Sequence, residues 1–497
     1  MYLSTIRSRA TCGVETSAVS VEVHLSNGLP RFTIVGMAEM AVKESKDRVR
    51  SAIINSGFDF PDRRITVNLA PADLPKEGGR FDLPIAIGIL AASDQLARDD
   101  LAQYEFYGEL ALGGELRAVT GLVPALVAAK ASKLRAIIPE GNAVEAGFIR
   151  SAVIFRAGRL LDVCALFNSG QALAPVDPAP PASPAAGPDL REVRGQHRAK
   201  RALQIAAAGG HNLLMVGPPG SGKTMLATRL PGLLPALDEE EALEAAAIRS
   251  VAGRPFDLQG GVLRPFRRPH HSCSSVALVG GGSHPKPGEI SLAHQGVLFL
   301  DELPEFSRGA LEQLREPLEA GVVHISRAAQ QVSYPARFQL VAAMNPCPCG
   351  YLGEDRCRCT AEQVQRYRAR ISGPLLDRID IHIEVPTVPH EKLQAEPEGE
   401  SSGELRTQVI AAQELQHRRQ GCLNKDLSIR AIEQHCALDA STRTLLNRAM
   451  ERLGLSARAY HRIVRLARTI ADLAQSDHIE SPHLGEAIQL RCLDRRN

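Results

Sequence analysis

The sequence predicts a mixed α/β chain in three parts: an α/β or α+β domain over residues 1–173, an α/β core over 189–386, and a helical domain over 404–497. Three observations predict it. An apolar run at 212–216 opens into a glycine-rich loop and then a helix-like stretch, a strand–loop–helix unit. Strand-like and helix-patterned runs alternate up to residue 386, and only helical periodicity follows residue 403. Two segments without periodicity, the proline-rich 174–188 and the proline- and glutamate-bearing 387–403, separate the parts as linkers.

Bulk composition narrows the chemistry. A chain of 497 residues at about 150 per domain fits three cores. The formal charge of +2 means that a nucleic-acid partner must be met by local basic surface. Without Trp, and with only 4% aromatics, recognition by base stacking is disfavoured against tracking of a phosphate backbone. Ten cysteines in this length do not form a secreted disulfide framework and point to a reducing cytoplasm. The first residues lack a signal-peptide core, and the longest apolar run, 83–92, is too short to span a bilayer.

In the first domain, residues 19–25 and 64–69 read as strands and 41–56 and 123–133 as helices. The words Leu74-Pro75-Lys76-Glu77-Gly78-Gly79-Arg80-Phe81-Asp82, Tyr107-Gly108-Glu109-Leu110 and Ile137-Ile138-Pro139-Glu140-Gly141-Asn142 resemble the peptidase domain of Lon-type proteases over most of residues 1–165. The peptidase pair is missing from the matching places. Phe81-Asp82-Leu83 stands where that family carries its serine, and Val123 follows Gly121-Leu122 where it carries its lysine. Without an activated hydroxyl there is no serine peptidase chemistry. The resemblance therefore implies a Lon-like fold used for assembly or DNA contact, with the 174–188 linker spacing it from the core.

The core opens with Gln196, ahead of a helix pattern at 198–208 placed to pack near a nucleotide base. The loop is Gly217-Pro218-Pro219-Gly220-Ser221-Gly222-Lys223-Thr224, a phosphate-binding P-loop. Its glycines let backbone N–H groups turn toward phosphates, Lys223 reaches the β/γ-phosphates of ATP, and Thr224 helps hold Mg2+. The run 296–300 ends in Asp301 and Glu302, one acid to orient the Mg2+ shell and one to polarise a water for attack on the γ-phosphate. The strand-like run 338–344 ends at Asn345, which can hold that water or can be a turn residue before Pro346. Arg378 can act as an arginine finger on a neighbouring subunit's γ-phosphate if the protein forms a ring. The alternative is a structural salt bridge with Asp377 or Asp380. Cys347, Cys349, Cys357 and Cys359 can close a tetrahedral Zn2+ site, remain free structural thiols or act as a redox set.

These motifs, with the long words Arg264-Pro265-Phe266-Arg267-Arg268-Pro269-His270-His271 and residues 280–294, resemble the AAA+ ATPases related to the magnesium-chelatase I subunit. With the Lon-like front end, nearly the whole chain resembles the ComM/YifB branch of that group. The resemblance implies a P-loop AAA+ motor with a C-terminal helical lid. It also implies a homo-hexameric ATPase and a DNA helicase for branch migration of single-stranded or branched DNA in natural transformation and recombination, with recombination-protein partners. It makes 280–290 a helix-2 insert and 322–334 a hairpin before Asn345, both reaching a ring pore. Lys286 and Arg327 then become candidates for phosphate contacts, against the reading as ordinary solvated charges. Ser456-Ala457-Arg458 resembles the sensor-2 arginine, so Arg458 bridges lid and nucleotide. Arg462 and Arg465 read as a solvated or subunit-contact face, and His270-His271 as structural. The competing reading is a magnesium-chelatase motor that remodels a protein partner, from which the front end and the cysteine loop set this chain apart. A nucleotide-gated scaffold is disfavoured by the intact Glu302 and Arg378.

Overall fold

The computed structural model describes residues 2–36, 40–97, 100–179, 187–256, 264–282, 285–326, 331–389 and 399–491, with the side chains of 40, 41 and 43 excepted. Arg327 lies outside the described residues. The N-terminal part is an eight-stranded sheet of β1 (Leu3–Cys12), β2 (Glu15–Ser26), β3 (Arg31–Val35), β4 (Arg64–Ala70), β5 (Tyr104–Phe106), β8 (Arg135–Pro139), β9 (Ile154–Ala157) and β10 (Ala174–Pro175), with β6 (Glu109–Leu110) and β7 (Leu116–Arg117) as a separate hairpin. The order is β10-β9-β8-β5-β1-β2-β4-β3. β1 and β2 pair antiparallel from Leu3↔His24 to Cys12↔Glu15. β1 escapes a pattern search because it turns Ser4 and Ser8 inward, where their hydroxyls donate to Gly88 O and Phe106 O. Helix Asp82–Ala92, the longest apolar run of the sequence, is buried on every side, which explains its lack of a polar face. No described helix is long and apolar enough to cross a membrane.

The core is a five-stranded, wholly parallel sheet with order β12-β15-β18-β11-β19: β11 (Leu213–Val216), β12 (Phe266–Arg267), β15 (Val297–Leu300), β18 (Gln339–Met344) and β19 (Ile381–Glu384). The three central strands are buried along their whole length and apolar except for Gln339, whose Nε2 donates to Ala206 O and His211 O, as strands covered on both faces must be. Parallel register, with Val216↔Met344 and Leu300↔Ala342, brings the carboxyl ends of β11, β15 and β18 to one edge. Residues following those strands therefore meet there. Two short hairpins leave this sheet: β13 (Gly280–Gly281) with β14 (Lys286–Pro287), and β16 (Val322–Ser326) with β17 (Gln331–Pro335). The second alternates as its sequence predicts, with Val323 and Ile325 buried and His324 and Ser326 exposed.

The C-terminal part is helical: Ser402–Gln420, Ile429–His435, Ala440–Leu453, Ala457–Leu473 and Ser481–Gln489. Here the expectation for two arginines fails. Arg462 Nη1 lies 2.7 Å from Asp380 Oδ1 and Arg465 donates to Leu427 O, so both point inward and are not a solvated face. Buried acceptors just before β19 and in the loop at Leu427 draw them in, which the helix's own periodicity cannot show.

The front end is also not held apart from the core. Helix Leu122–Ala131 lies against helix Glu239–Val251, and Leu122, Val123, Leu126 and Ala246 share one apolar cluster. Gly121 N donates to Ser250 O at 3.0 Å, and Ser250 Oγ donates to Glu145 Oε2 at 2.6 Å. A second contact joins the β1–β2 turn to the β16–β17 hairpin, where a Cβ on Gly13 (φ +61°) would overlap Val332. The first apolar patch needs the helix Glu239–Val251 to cover it, and this outweighs the spacing that a proline-rich linker suggests.

Candidate functional site

The loop after β11 crosses the carboxyl edge of the sheet. Gly217 donates to Met344 O at 3.1 Å, and a Cβ there would overlap the Val385 carbonyl, so only glycine passes. Gly220 and Gly222 stand at φ +78° and +91°, the left-handed region where a side chain is strained. Gln196 Nε2 donates to Ser221 O at 3.2 Å and to Pro386 O at 2.7 Å, tying the loop to the segment after β19. The result is an open cleft of about 450 Å3 lined by residues 219–225, Asp301, Glu302, Met344 and Asn345, within the size range of small-molecule sites.

The sequence-predicted residues converge in it. Lys223 Nζ donates to Gly217 O at 2.7 Å, Pro218 O at 2.8 Å and Asn345 Oδ1 at 3.3 Å. Burial pulls the Lys223 ammonium below its usual range, and the Asp301 and Glu302 carboxylates partly offset this. Thr224 Oγ1 donates to Asp301 Oδ2 at 2.8 Å, so a hydroxyl from the loop and a carboxylate from the neighbouring strand face one point. Glu302 sits at φ +54° with its carboxylate half exposed over the cleft. A cationic loop, two hard oxygen donors and a half-exposed carboxylate together suit a phosphorylated ligand, a divalent cation and an activated water.

Arg268 and His271 also reach this site. Arg268 Nη2 lies 2.7 Å from Asp301 Oδ2, and His271 Nδ1 lies 3.2 Å from Glu302 Oε2. His271, expected to be structural, is thus a partner of the acid pair, and His270 bonds Ser272. The signal was the basic word 267–271 after an edge strand, but only the adjacency of β12 and β15 aims it at the acids.

Other predicted residues stand elsewhere. Arg378 is nearly buried, with Nη2 2.5 Å from Glu319 Oε1 and Nη1 donating to Pro374 O at 2.7 Å. Its acidic partner is neither Asp377 nor Asp380, because Asp380 is taken by Arg462. Arg458 is exposed on the first turn of helix Ala457–Leu473, and among the described residues it makes no hydrogen bond to the loop. Lys286 is exposed on β14. The two hairpins dock on each other: Tyr334 Oη donates to Pro285 O at 2.6 Å, and Gly280 packs on Ile325. Cys347, Cys349, Cys357 and Cys359 gather with their sulfurs within 4.8 Å of one another, a set that could hold a metal.

Comparison with known proteins agrees with this architecture. Residues 189–393 match the family described as magnesium chelatase, subunit ChlI; 399–491 match its C-terminal family, and 21–142 match the family described as subunit ChlI of Mg-chelatase. The front end therefore does not by itself set the chain apart from chelatase subunits. YifB of Salmonella typhimurium is 52% identical over 496 residues, covering 100% of this chain and 98% of that protein. Competence protein ComM of Haemophilus influenzae is 52% identical over 502 residues, with the same coverage of 100% and 98%. The chloroplastic magnesium-chelatase subunit ChlI of Chlamydomonas reinhardtii is 24% identical over 301 residues, covering 55% of this chain and 64% of that protein.

Proposed function

The chain belongs to the ComM/YifB family of magnesium-chelatase-like proteins, and from that premise we propose that it is an AAA+ ATPase acting as a hexameric DNA motor, a helicase for branch migration in transformation and recombination. The observation that carries the reading is the convergence of Lys223, Thr224, Asp301, Glu302 and Asn345 on one cleft. Lys223 exchanges the carbonyls of Gly217 and Pro218 for the β/γ-phosphate oxygens of ATP, and the loop's N–H groups, held by the left-handed glycines, cradle the rest. Thr224 and Asp301 fit Mg2+ as adjacent hard oxygen donors, and the bound cation neutralises phosphate charge. Glu302 accepts a hydrogen bond from the attacking water, which Asn345 helps to place. Gln196 borders the base side of the cleft.

In the ring, Arg378 exchanges Glu319 for the γ-phosphate of the adjoining subunit's ATP, and Arg458 closes the lid over nucleotide. The Lon-like domain, without peptidase function, braces the β16–β17 hairpin through its β1–β2 turn. Lys286 and Arg327 supply phosphate contacts in the pore. The name of the Haemophilus relative, a competence protein, supports DNA as the partner. The family descriptions support a second reading, a motor that remodels a protein partner.

Steady-state ATPase with and without single-stranded and four-way-junction DNA, at low and raised salt, separates the two. Salt-sensitive stimulation is expected of the DNA motor. A hexamer with robust basal hydrolysis and no response to any DNA would refute it in favour of protein remodelling.

A further inference from the structure

The segment between β18 and helix Ala361–Arg368 carries its four cysteines in two Cys-X-Cys steps, at 347/349 and 357/359. The sulfurs are 3.4 Å apart for Cys347 and Cys349, 3.7 Å for Cys349 and Cys357, and 4.0 Å for Cys347 and Cys357. A tetrahedral centre with metal–sulfur bonds of about 2.3 Å holds its ligands about 3.8 Å apart, a value these distances bracket. They are well beyond the ~2 Å of a disulfide. They are also too tight to surround a cube of iron and sulfide. The intervening residues bury little and are braced locally, with the Arg356 guanidinium 3.7 Å from the Tyr351 ring centre. A stretch without a core of its own needs a cross-link to keep one shape.

We propose that Cys347, Cys349, Cys357 and Cys359 hold one Zn2+ as a closed structural site, and that this site fixes the wall of the nucleotide cleft. Cys347 follows Asn345 by two residues, and Gly350, at φ +89°, packs against the phosphate loop so closely that a Cβ would stand 2.6 Å from Pro219 Cδ. All four ligand positions come from the protein, so no position is open for a substrate, and the metal's part is to hold shape. The effect on the cleft rests on the ATPase reading; the metal assignment does not.

The full-length protein, purified without chelators, should contain about one zinc per chain by mass spectrometry. It should release that zinc as a mercurial titrates the thiols and, once a competing thiol has stripped the mercurial from the sulfurs, take up Co2+ with thiolate-to-metal absorption. Cys422→Ser, outside the cluster, should keep its zinc, and Cys357→Ser should lose it. Stoichiometric iron in place of zinc, or no metal together with no Co2+–thiolate band in the reduced wild-type protein, would overturn the assignment even if Cys357→Ser fails to fold. Gly350→Ala leaves every ligand in place; it should retain zinc and lower ATP turnover about tenfold through misplacement of Pro219 and Asn345. Retained zinc with unchanged turnover would overturn the link to the cleft, while absence of ATPase in the wild type would instead overturn the proposed function.

Discussion

Replacing Asp380 by asparagine tests how the helical domain is fastened to the core sheet. The Asp380 carboxylate accepts the Asn212 N–H at 3.0 Å, lies 2.7 Å from Arg462 Nη1 and 3.8 Å from His211 Nδ1. Burial pushes this carboxyl up, but His211, Arg462 and the Asn212 amide together outweigh burial and hold it well below the usual carboxylate range. Asparagine keeps the size and the bond from Asn212 but loses the charge that faces Arg462. A charge-assisted hydrogen bond contributes about 1.5–3 kcal/mol, and breaking a fully buried pair costs about 3–5 kcal/mol. The Arg462 side chain retains 18% exposure, so water takes up part of the loss. The expected destabilisation of the helical domain is about 2–3 kcal/mol. Because the folded value lies below the unfolded value of about 3.9, this contribution is complete above that pH and is lost as pH falls through the folded value. The gap between wild type and Asp380→Asn should therefore hold constant from neutral pH down to about 5 and narrow below about 4. Hydrogen exchange of the C-terminal helices in urea reads this domain by itself, which a global melt of a multidomain chain does not. A gap under about 0.5 kcal/mol at neutral pH, or one that does not narrow in acid, would refute the pairing as the fastening.

Three further substitutions probe the cleft and the hairpins. Glu302→Gln should bind ATP normally and slow hydrolysis at least about 100-fold, seen in single-turnover assays; wild-type turnover would remove Glu302 from the mechanism. Arg268→Ala frees Asp301 from an exposed ion pair of about 0.5–1 kcal/mol and should lower the Mg2+ needed for half-maximal ATPase about two- to five-fold, with an unchanged or raised requirement counting against competition at Asp301. Tyr334→Phe removes the bond from Tyr334 Oη to Pro285 O, about 1 kcal/mol; it should leave basal ATPase intact and reduce stimulation by DNA, and equal effects on both would dissociate the hairpins from DNA. Mixing Lys223→Ala with Arg378→Ala protomers should restore part of the activity that each lacks, measured once mixed rings are verified; no recovery would place Arg378 outside the neighbouring site.

Much of the cleft was legible because contiguous residues carry it. A strand, a loop whose glycines adopt positive φ, and a helix follow one another in residues 212–227, and Asp301-Glu302 and Asn345 close apolar strand runs. In a parallel sheet such residues share one edge, and Lys223, Thr224, Asp301 and Asn345 meet there. The four cysteines were legible for the same reason, since two short steps separated by a few residues can fold back locally.

By itself the sequence determined the cleft's strands, its loop and the residues at their ends, since backbone preference and hydrophobic period act over a few neighbours. The tertiary structure alone decided which charges pair across elements. It set β12 beside β15, which turns Arg268 and His271 onto the acid pair, and packed helix Ala457–Leu473 against helices His197–Gly209 and Ser402–Gln420, which turns Arg462 onto Asp380. It also seated the front end on helix Glu239–Val251 despite the linker between them. These pairings follow from strand order and from burial of apolar faces supplied by distant segments, neither of which leaves a local pattern in the chain.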